Sequence, residues 1–148
     1  MKVIVDANIV FSGILNVNSK IGDLLINSRN HFDFIAPYFL HSEIGKHYLK
    51  IQKISGLSFE DIREAESQIC KDISFISEEQ IRPSMWSLAE KLVADIDPKD
   101  TVYLAYSKQF RCKIWSGDKK LIVGLKKKGF KNFISTEELY LHRIQPGT

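Results

Sequence analysis

Short runs of aliphatic and β-branched residues alternate along the chain with segments whose apolar positions recur every three or four residues. The first run, Val3-Ile4-Val5, has no polar alternation, which is typical of a parallel strand buried on both faces. Further short apolar runs lie at 31–36, 74–77, 113–115 and 132–134, with helical spacing between them. This alternation predicts an α/β fold, a three-layer α/β/α sandwich around a central parallel sheet.

Prolines and small polar residues indicate where the helices begin. One amphipathic helix is predicted from about 37 to 51, because Pro37 suits a first helical turn. Ser58 has the side chain of a helix N-cap, and Pro83 marks the start of a later helix. The last helix is predicted to open at Thr136.

Length and composition indicate one domain spanning 1–148. The 148 residues are 44% hydrophobic and 26% charged, as in ordinary globular proteins. No stretch approaches the roughly 20 apolar residues that cross a bilayer, and the apolar start stops at Asp6, too soon for a signal peptide. The sequence therefore predicts a cytoplasmic protein with no membrane association, and Gln145–Thr148 is expected to fray.

The cysteines and the net charge exclude few functions, but the distribution of charge is informative. Cys70 and Cys112 have no C-x-x-C spacing, so neither a disulfide framework nor a zinc site is indicated. The net charge of +3 alone does not argue for a polyanionic partner. Between 111 and 131, however, eight basic residues accompany one acid, Asp118, which favours contact with phosphate.

Carboxylates follow the predicted strands or open the helices beside them. Asp6 ends the first strand, and Asp118 follows the strand at 113–115 after a short turn. Glu43 lies near the start of the helix after the second strand, while Asp97 and Asp100 precede the helix before 113–115. Because the carboxyl ends of parallel strands form one edge, we expect these acids at a common crevice.

Each acid taken singly has a structural explanation. Asp6, Asp100 and Asp118 suit helix N-caps or first turns, and Glu43 suits a solvated helix face. A cluster without a counterion, however, would raise the pKa values of its members and destabilise the fold. The cluster therefore predicts a bound hard cation, and oxygen ligands favour Mg²⁺ or Mn²⁺ over zinc.

The order of these segments resembles that of the PIN-domain ribonucleases. The residues that carry the resemblance are Asp6-Ala7-Asn8, Glu43, the segment 97–105 (DPKDTVYLA) and the segment 114–121 (IWSGDKKL). The resemblance covers nearly the whole chain. It implies a compact α/β sandwich whose acids hold one or two magnesium or manganese ions and hydrolyse phosphodiester bonds in RNA.

The resemblance also implies roles for individual residues. The implied catalytic residues are Asp6, Glu43, Asp100 and Asp118, the implied metal ligands are Asp6, Asp97, Asp100 and Asp118, and the implied supporting residues are Asn8 and Ser116. Asp97 matches an extra acid found in one branch of the family. Ala7 departs from the pattern, because many members have a hydroxyl residue there.

RNA, single-stranded or structured, is the implied substrate. Lys119 and Lys120 flank Asp118 and are expected to attract the RNA backbone, although a solvated helix face would explain them equally well. Many bacterial and archaeal members of the family are toxins held inactive by an antitoxin protein. The resemblance therefore implies a cognate antitoxin, and it also makes a homodimer plausible.

The main alternative is a catalytically silent RNA-binding or scaffold protein of the same fold. Other classes fit less well: an acid-nucleophile phosphatase needs an acid where Asn8 stands, and a nucleotide-binding module needs a G-x-x-x-x-G-K segment that is missing. Trp115 could stack a base, but its place inside a strand favours the core. Trp86 is expected in the core as well.

Overall fold

Within residues 1–145, which the computed structural model describes, five parallel strands form one sheet. The strands are β1 (Lys2–Val5), β2 (Asp33–Pro37), β3 (Ile73–Ile76), β4 (Lys113–Trp115) and β5 (Phe133–Ile134), in the order β3-β2-β1-β4-β5. The central strand β1 pairs with both β2 and β4. Of the tail 145–148, which is expected to fray, Gln145 is the C-cap residue of the last helix, and 146–148 lie outside the described residues.

Helices flank this sheet on both faces. They are α1 (Ala7–Leu15), α2 (Lys20–Asn27), α3 (Phe39–Lys46), α4 (Tyr48–Ser55), α5 (Phe59–Cys70), α6 (Pro83–Val93), α7 (Thr101–Phe110), α8 (Lys119–Lys127) and α9 (Thr136–Ile144). Short 3₁₀ turns lie at Glu78–Gln80 and Pro98–Asp100.

The core is divided in two by the sheet, as alternation along β1 shows. Val3 and Val5 belong to the cluster that includes buried residues of α1, α2 and α5. Ile4, between them, belongs to the cluster that includes buried residues of α6, α7 and α8. Successive side chains of a strand point to opposite faces, so both faces of β1 are covered by helices. The predicted α/β sandwich with a parallel sheet is confirmed.

One predicted helix start is wrong, and another is confirmed. Pro37 ends β2, where it pairs in register with Ile76, and the predicted helix at 37–51 is two helices that meet at His47. The spacing concealed this break because apolar positions of both helices face the core. The last helix begins at Thr136, as predicted, and Ser135 before it forms a capping box with Glu138.

The parallel strands bring their carboxyl ends to one edge of the sheet. Asp6 follows β1, α3 follows β2 after one residue, and Asp118 follows β4 after two. Among the described residues no single helix is long and apolar enough to cross a membrane; α1 and α2 reach that length and composition only together, across a 106° bend.

Gly22, on α2, and Gly45, on α3, offer a test of the packing around α2, with Gly45 as the control. A Cβ at Gly22 would lie 2.3 Å from the carbonyl oxygen of Val17, whereas nothing lies within 4 Å of a Cβ at Gly45. We expect Gly22→Ala to destabilise the fold by about 1–3 kcal/mol through overpacking. Gly45→Ala should stabilise it by about 0.5–1 kcal/mol through helix propensity. Urea unfolding measures both, and shifts of the same sign would contradict the described packing.

Candidate active site

A cavity of about 460 Å³ opens at the carboxyl edge of the sheet. All five predicted acids line it: Asp6, Glu43, Asp97, Asp100 and Asp118. They come from four parts of the fold, namely the end of β1, helix α3, the 3₁₀ turn before α7 and the turn after β4. The structure therefore brings together carboxylates that lie more than a hundred positions apart in the sequence.

The Ser116 side chain connects the two acids that follow neighbouring strands. Its hydroxyl donates a hydrogen bond to Asp6 Oδ2 at 2.7 Å and accepts one from the Asp118 backbone N–H at 3.1 Å. Ser116 is only 6% exposed, so its hydrogen bonds are shielded from water. It therefore holds the Asp6 carboxylate beside the turn that carries Asp118.

Asp6 and Asp118 both occupy helix N-cap positions, but they use their side chains differently. Asp118 Oδ1 accepts a hydrogen bond from the Leu121 backbone N–H at 3.1 Å and caps α8. Asp6 makes no capping hydrogen bond to α1, although the nearby backbone N–H groups of Ala7 and Asn8 lower its pKa. Helix capping thus accounts for the side chain of Asp118 but not for that of Asp6.

The other acids differ in exposure. Asp100 occupies the N-cap position of α7 without capping it, so its carboxylate makes no hydrogen bond to the helix. Asp97 is exposed and accepts a hydrogen bond from the Lys99 backbone N–H at 3.0 Å, which closes the 3₁₀ turn. The Glu43 side chain is 17% exposed and lies 3.7 Å from the Lys46 ammonium. Asn8, which also lines the cavity, is exposed on α1.

Burial and repulsion from neighbouring charges make the carboxyl groups of Asp6 and Asp100 hard to ionise. Burial raises the pKa of Asp6, and the negative charge of Asp118 adds to this rise, while the Ser116 hydrogen bond opposes it. Burial also raises the pKa of Asp100 to about 7, with further contributions from Asp6, Asp97 and Asp118. The cavity thus gathers five carboxylates.

Tyr103 brings a hydroxyl group to the same cavity. The residue is 4% exposed, and among residues 1–145 its hydroxyl is the buried side-chain polar group with no hydrogen-bond partner. Burial and the charge of Asp6 raise its pKa, while the nearby Ala7 N–H lowers it without completing a hydrogen bond. The hydroxyl therefore stays protonated and can donate a hydrogen bond to a bound group.

The basic residues at the cavity differ from those singled out in the sequence. Lys50 and Lys99 line it, together with His47. Lys119 and Lys120 are exposed in the first turn of α8 and are not part of the lining. Lys99 could have been found from its place between Asp97 and Asp100, whereas Lys50 lines the cavity because α4 packs against α1.

The donor chemistry of the cavity suits a hard cation. Its candidate ligands are carboxylate oxygens, and the partnerless Tyr103 hydroxyl is close enough to Asp6, Glu43 and Asp100 for their charges to raise its pKa. Within residues 1–145, however, no three histidine, cysteine, aspartate or glutamate side chains are arranged to enclose a metal ion. Mg²⁺ is commonly bound by one or two carboxylates, with waters and substrate phosphates completing its shell. The residues present fit this mode of binding.

Comparisons with known proteins agree with this architecture. Residues 4–141 match the family model of the PIN domain. The fold is similar to the crystal structure of PAE2754 from Pyrobaculum aerophilum, with a TM-score of 0.68 and 13% identity over 98% of this chain and 91% of that one. It is also similar to VapBC2 from Rickettsia felis bound to a DNA fragment from their promoter, with a TM-score of 0.67 and 12% identity over 91% and 97%. No curated protein sequence matches the chain.

The family match carries more weight than the two structural similarities, which at such low identity concern the fold alone. PIN domains are typically nucleases and are commonly metal-dependent. The match covers almost all of the described residues, including every acid of the cavity. The chain therefore belongs to the PIN domain family.

Proposed function

We propose that this protein is an endoribonuclease that depends on Mg²⁺ or Mn²⁺ and hydrolyses phosphodiester bonds in RNA. The observation that carries the proposal is the convergence of five carboxylates on one cavity, where Asp6 and Asp100 have raised pKa values. An RNA backbone, itself negatively charged, can approach such a cavity only when a cation offsets its charge.

The acids divide into ligands and a candidate base. Asp6, Asp100 and Asp118 would hold the cation, one or two of them directly and the rest through bound water, with Asp97 as a further ligand through water at the exposed rim. The ion, when bound, lowers the pKa of water and offsets charge on the phosphate. Glu43, mostly buried on α3, would orient the attacking water or accept its proton.

The remaining polar groups position the substrate and the ligands. Ser116 fixes Asp6 relative to Asp118, and the Tyr103 hydroxyl would donate a hydrogen bond to the phosphate or to the attacking water. Lys50 and Lys99 would attract the backbone from the cavity wall. Lys119 and Lys120 would extend this attraction along α8, and Asn8 would support the site from α1.

We further propose that the protein is the toxin of a toxin-antitoxin pair, with a cognate antitoxin as its partner. The support is the similarity of its fold to that of VapBC2 and its resemblance to toxin-type members of the family. A homodimer, a single domain spanning 1–148 and a cytoplasmic location complete this proposal.

A catalytically silent RNA-binding or scaffold protein is the second candidate. It is favoured by one observation: within the part of the chain that the structure describes, no three acids are arranged to hold an ion. A silent protein would use its basic residues without cleaving RNA, and divalent cations would do little to stabilise its fold.

Removal of Asp118 tests the nuclease directly. We expect Asp118→Asn to reduce metal-dependent cleavage of a fluorescent RNA by at least about 100-fold, the scale on which one electrostatic group acts at a reacting centre. The fold should be kept, because Asn is an equally good N-cap for α8. Cleavage is measured with Mn²⁺, with Mg²⁺ and with EDTA.

The matched control is Asp33→Asn, which removes the same charge at the amino end of β2, on the opposite edge of the sheet. It should cleave like the parent. Equal activity in parent and Asp118→Asn would show that the cleavage comes from a contaminant or that the site is misassigned. Absence of cleavage in the parent, with binding retained, would favour the silent protein.

Asp100→Asn tests the electrostatic cost of the cavity. Asp100 has a raised pKa of about 7 in the folded chain, so its ionisation destabilises the fold increasingly from about pH 4 to about pH 7 and no further above. In EDTA, the melting temperature of Asp100→Asn should therefore exceed that of the parent by a margin that grows over this range and then levels off. A difference in melting temperature that does not change with pH would contradict the raised pKa of Asp100. Added Mg²⁺ should stabilise the parent more than the variant.

Tyr103→Phe and Tyr106→Phe form a matched pair on α7. The Tyr106 hydroxyl donates to the Ile76 carbonyl at 2.6 Å, so its removal should cost about 1 kcal/mol of stability and leave cleavage unchanged. Removal of the partnerless Tyr103 hydroxyl should leave stability equal or higher. It should reduce cleavage by about 10-fold or more, because a hydrogen bond to a charged group contributes about 1.5–3 kcal/mol. Unchanged cleavage by Tyr103→Phe would remove this hydroxyl from the mechanism.

A further inference from the structure

An apolar slot adjoins the acidic cavity. It has a volume of about 420 Å³, within the range of about 300–1,000 Å³ typical of small-molecule sites. The residues that line it are Phe39, Trp86, Pro98, Lys99, Thr101 and Val102. We propose that this slot binds an unpaired nucleobase next to the phosphodiester held in the acidic cavity; the proposal rests on the function proposed above.

The slot and the acidic cavity are continuous. Phe39 and Lys99 line both of them. The 3₁₀ turn Pro98–Asp100 contributes Pro98 to the slot and Asp100 to the cavity. A polymer whose phosphate lies among the acids therefore has its neighbouring nucleotide beside the slot. This continuity favours a nucleic-acid occupant over an unrelated apolar ligand.

The walls of the slot suit the face of a base. Trp86 and Phe39 both pack against the core on the α6–α7 side of the sheet and present aromatic rings, which stack on bases without regard to their identity. The other tryptophan behaves differently: Trp115 is fully buried, as predicted, and donates its Nε1–H to Thr136 Oγ1 at 3.0 Å. Trp86, expected in the core, is only partly buried, because it covers the core while lining the slot.

The slot is held in place by hydrogen bonds around it. The Phe39 backbone N–H donates to Glu78 Oε1 at 2.9 Å, which fixes the first residue of α3. The Arg82 backbone N–H, at the N-cap of α6, donates to Gln109 Oε1 at 2.6 Å, which ties the start of the helix bearing Trp86 to α7. The two aromatic walls therefore lie on anchored helix starts, which lowers the entropy lost when a base enters.

The polar groups of the slot favour stacking over the reading of base edges. The Thr101 hydroxyl donates to the Pro98 carbonyl at 2.7 Å and so already has a partner for its proton. The Lys99 ammonium, at the junction with the cavity, complements a backbone phosphate. The slot should thus accept any base that is unstacked, whereas a base inside a duplex is held between its neighbours and cannot enter.

The experiment uses the full chain carrying Asp118→Asn in the presence of Mg²⁺, so that RNA binds without being cut. The probes are a single-stranded oligoadenylate, the same strand annealed to its complement, and a copy with abasic positions. Fluorescence of Trp86 reports on the slot, because the only other tryptophan of the chain, Trp115, is buried. Single-stranded RNA should quench this fluorescence saturably, and the duplex and the abasic strand should bind more weakly.

Variants of the slot wall then test stacking. Trp86→Ala should raise the Kd for the single strand by about 5- to 150-fold, the equivalent of about 1–3 kcal/mol per stacked base, and Trp86→Phe should restore most of the affinity. The matched control is Leu88→Ala, on the same helix, since Leu88 is 45% exposed and lies outside the slot lining. This control should bind like the parent.

The outcomes separate the slot from the nuclease. Duplex or abasic RNA that binds as tightly as the single strand would overturn the slot, and this comparison decides the matter even if Trp86→Ala does not fold. An unchanged Kd for a folded Trp86→Ala would also overturn the proposal that the slot binds a base, and the slot would then be a candidate contact for a protein partner. If Trp86→Ala weakens binding of the single strand but the parent does not cleave RNA, the slot is supported and the nuclease is rejected. If the parent cleaves RNA and Trp86→Ala neither binds nor cleaves it differently, the nuclease is supported and the slot is rejected.

Discussion

The hydrogen bond from Ser116 to Asp6 is the interaction on which the site depends. Asp6 is buried at the end of the central strand, where an ionised carboxylate without partners would be costly. Ser116 reaches it only because β1 and β4 are adjacent and parallel, so that the residues after them meet. The chemistry of the cavity is therefore a consequence of strand order.

The clustering of carboxylates at the cavity lowers the stability of the fold while it provides the groups that the proposed function needs. Neighbouring carboxylates that the fold brings to the cavity raise the cost of ionising Asp6, through Asp118, and Asp100, through Asp6, Asp97 and Asp118. The helices offset part of this cost locally, as the capping of α8 by Asp118 illustrates. A fold selected for stability alone would have no reason to keep these charges together, which is why the cluster indicates function.

The sequence predicted well those features that depend on local pattern and strand direction. The buried run before Asp6 and the acid after 113–115 were enough to infer a parallel sheet with acids at one edge. The sequence predicted poorly where one helix ends and the next begins. Pro37 looked like a helix start although it ends β2, and the apolar spacing continued across His47, where α3 and α4 meet. Lys50 and Tyr103 reach the cavity through tertiary packing, so no local signal identified them.

The 3₁₀ turn at Pro98–Asp100 has a consequence for how such a protein diversifies. Its residues face two ways, towards the acids and towards the aromatic slot, within a span of three positions. A mutation that reshapes the slot wall at Pro98 also displaces the backbone that carries Asp100. Substitutions at Trp86, on the separate helix α6, can therefore reshape the slot wall without moving this turn.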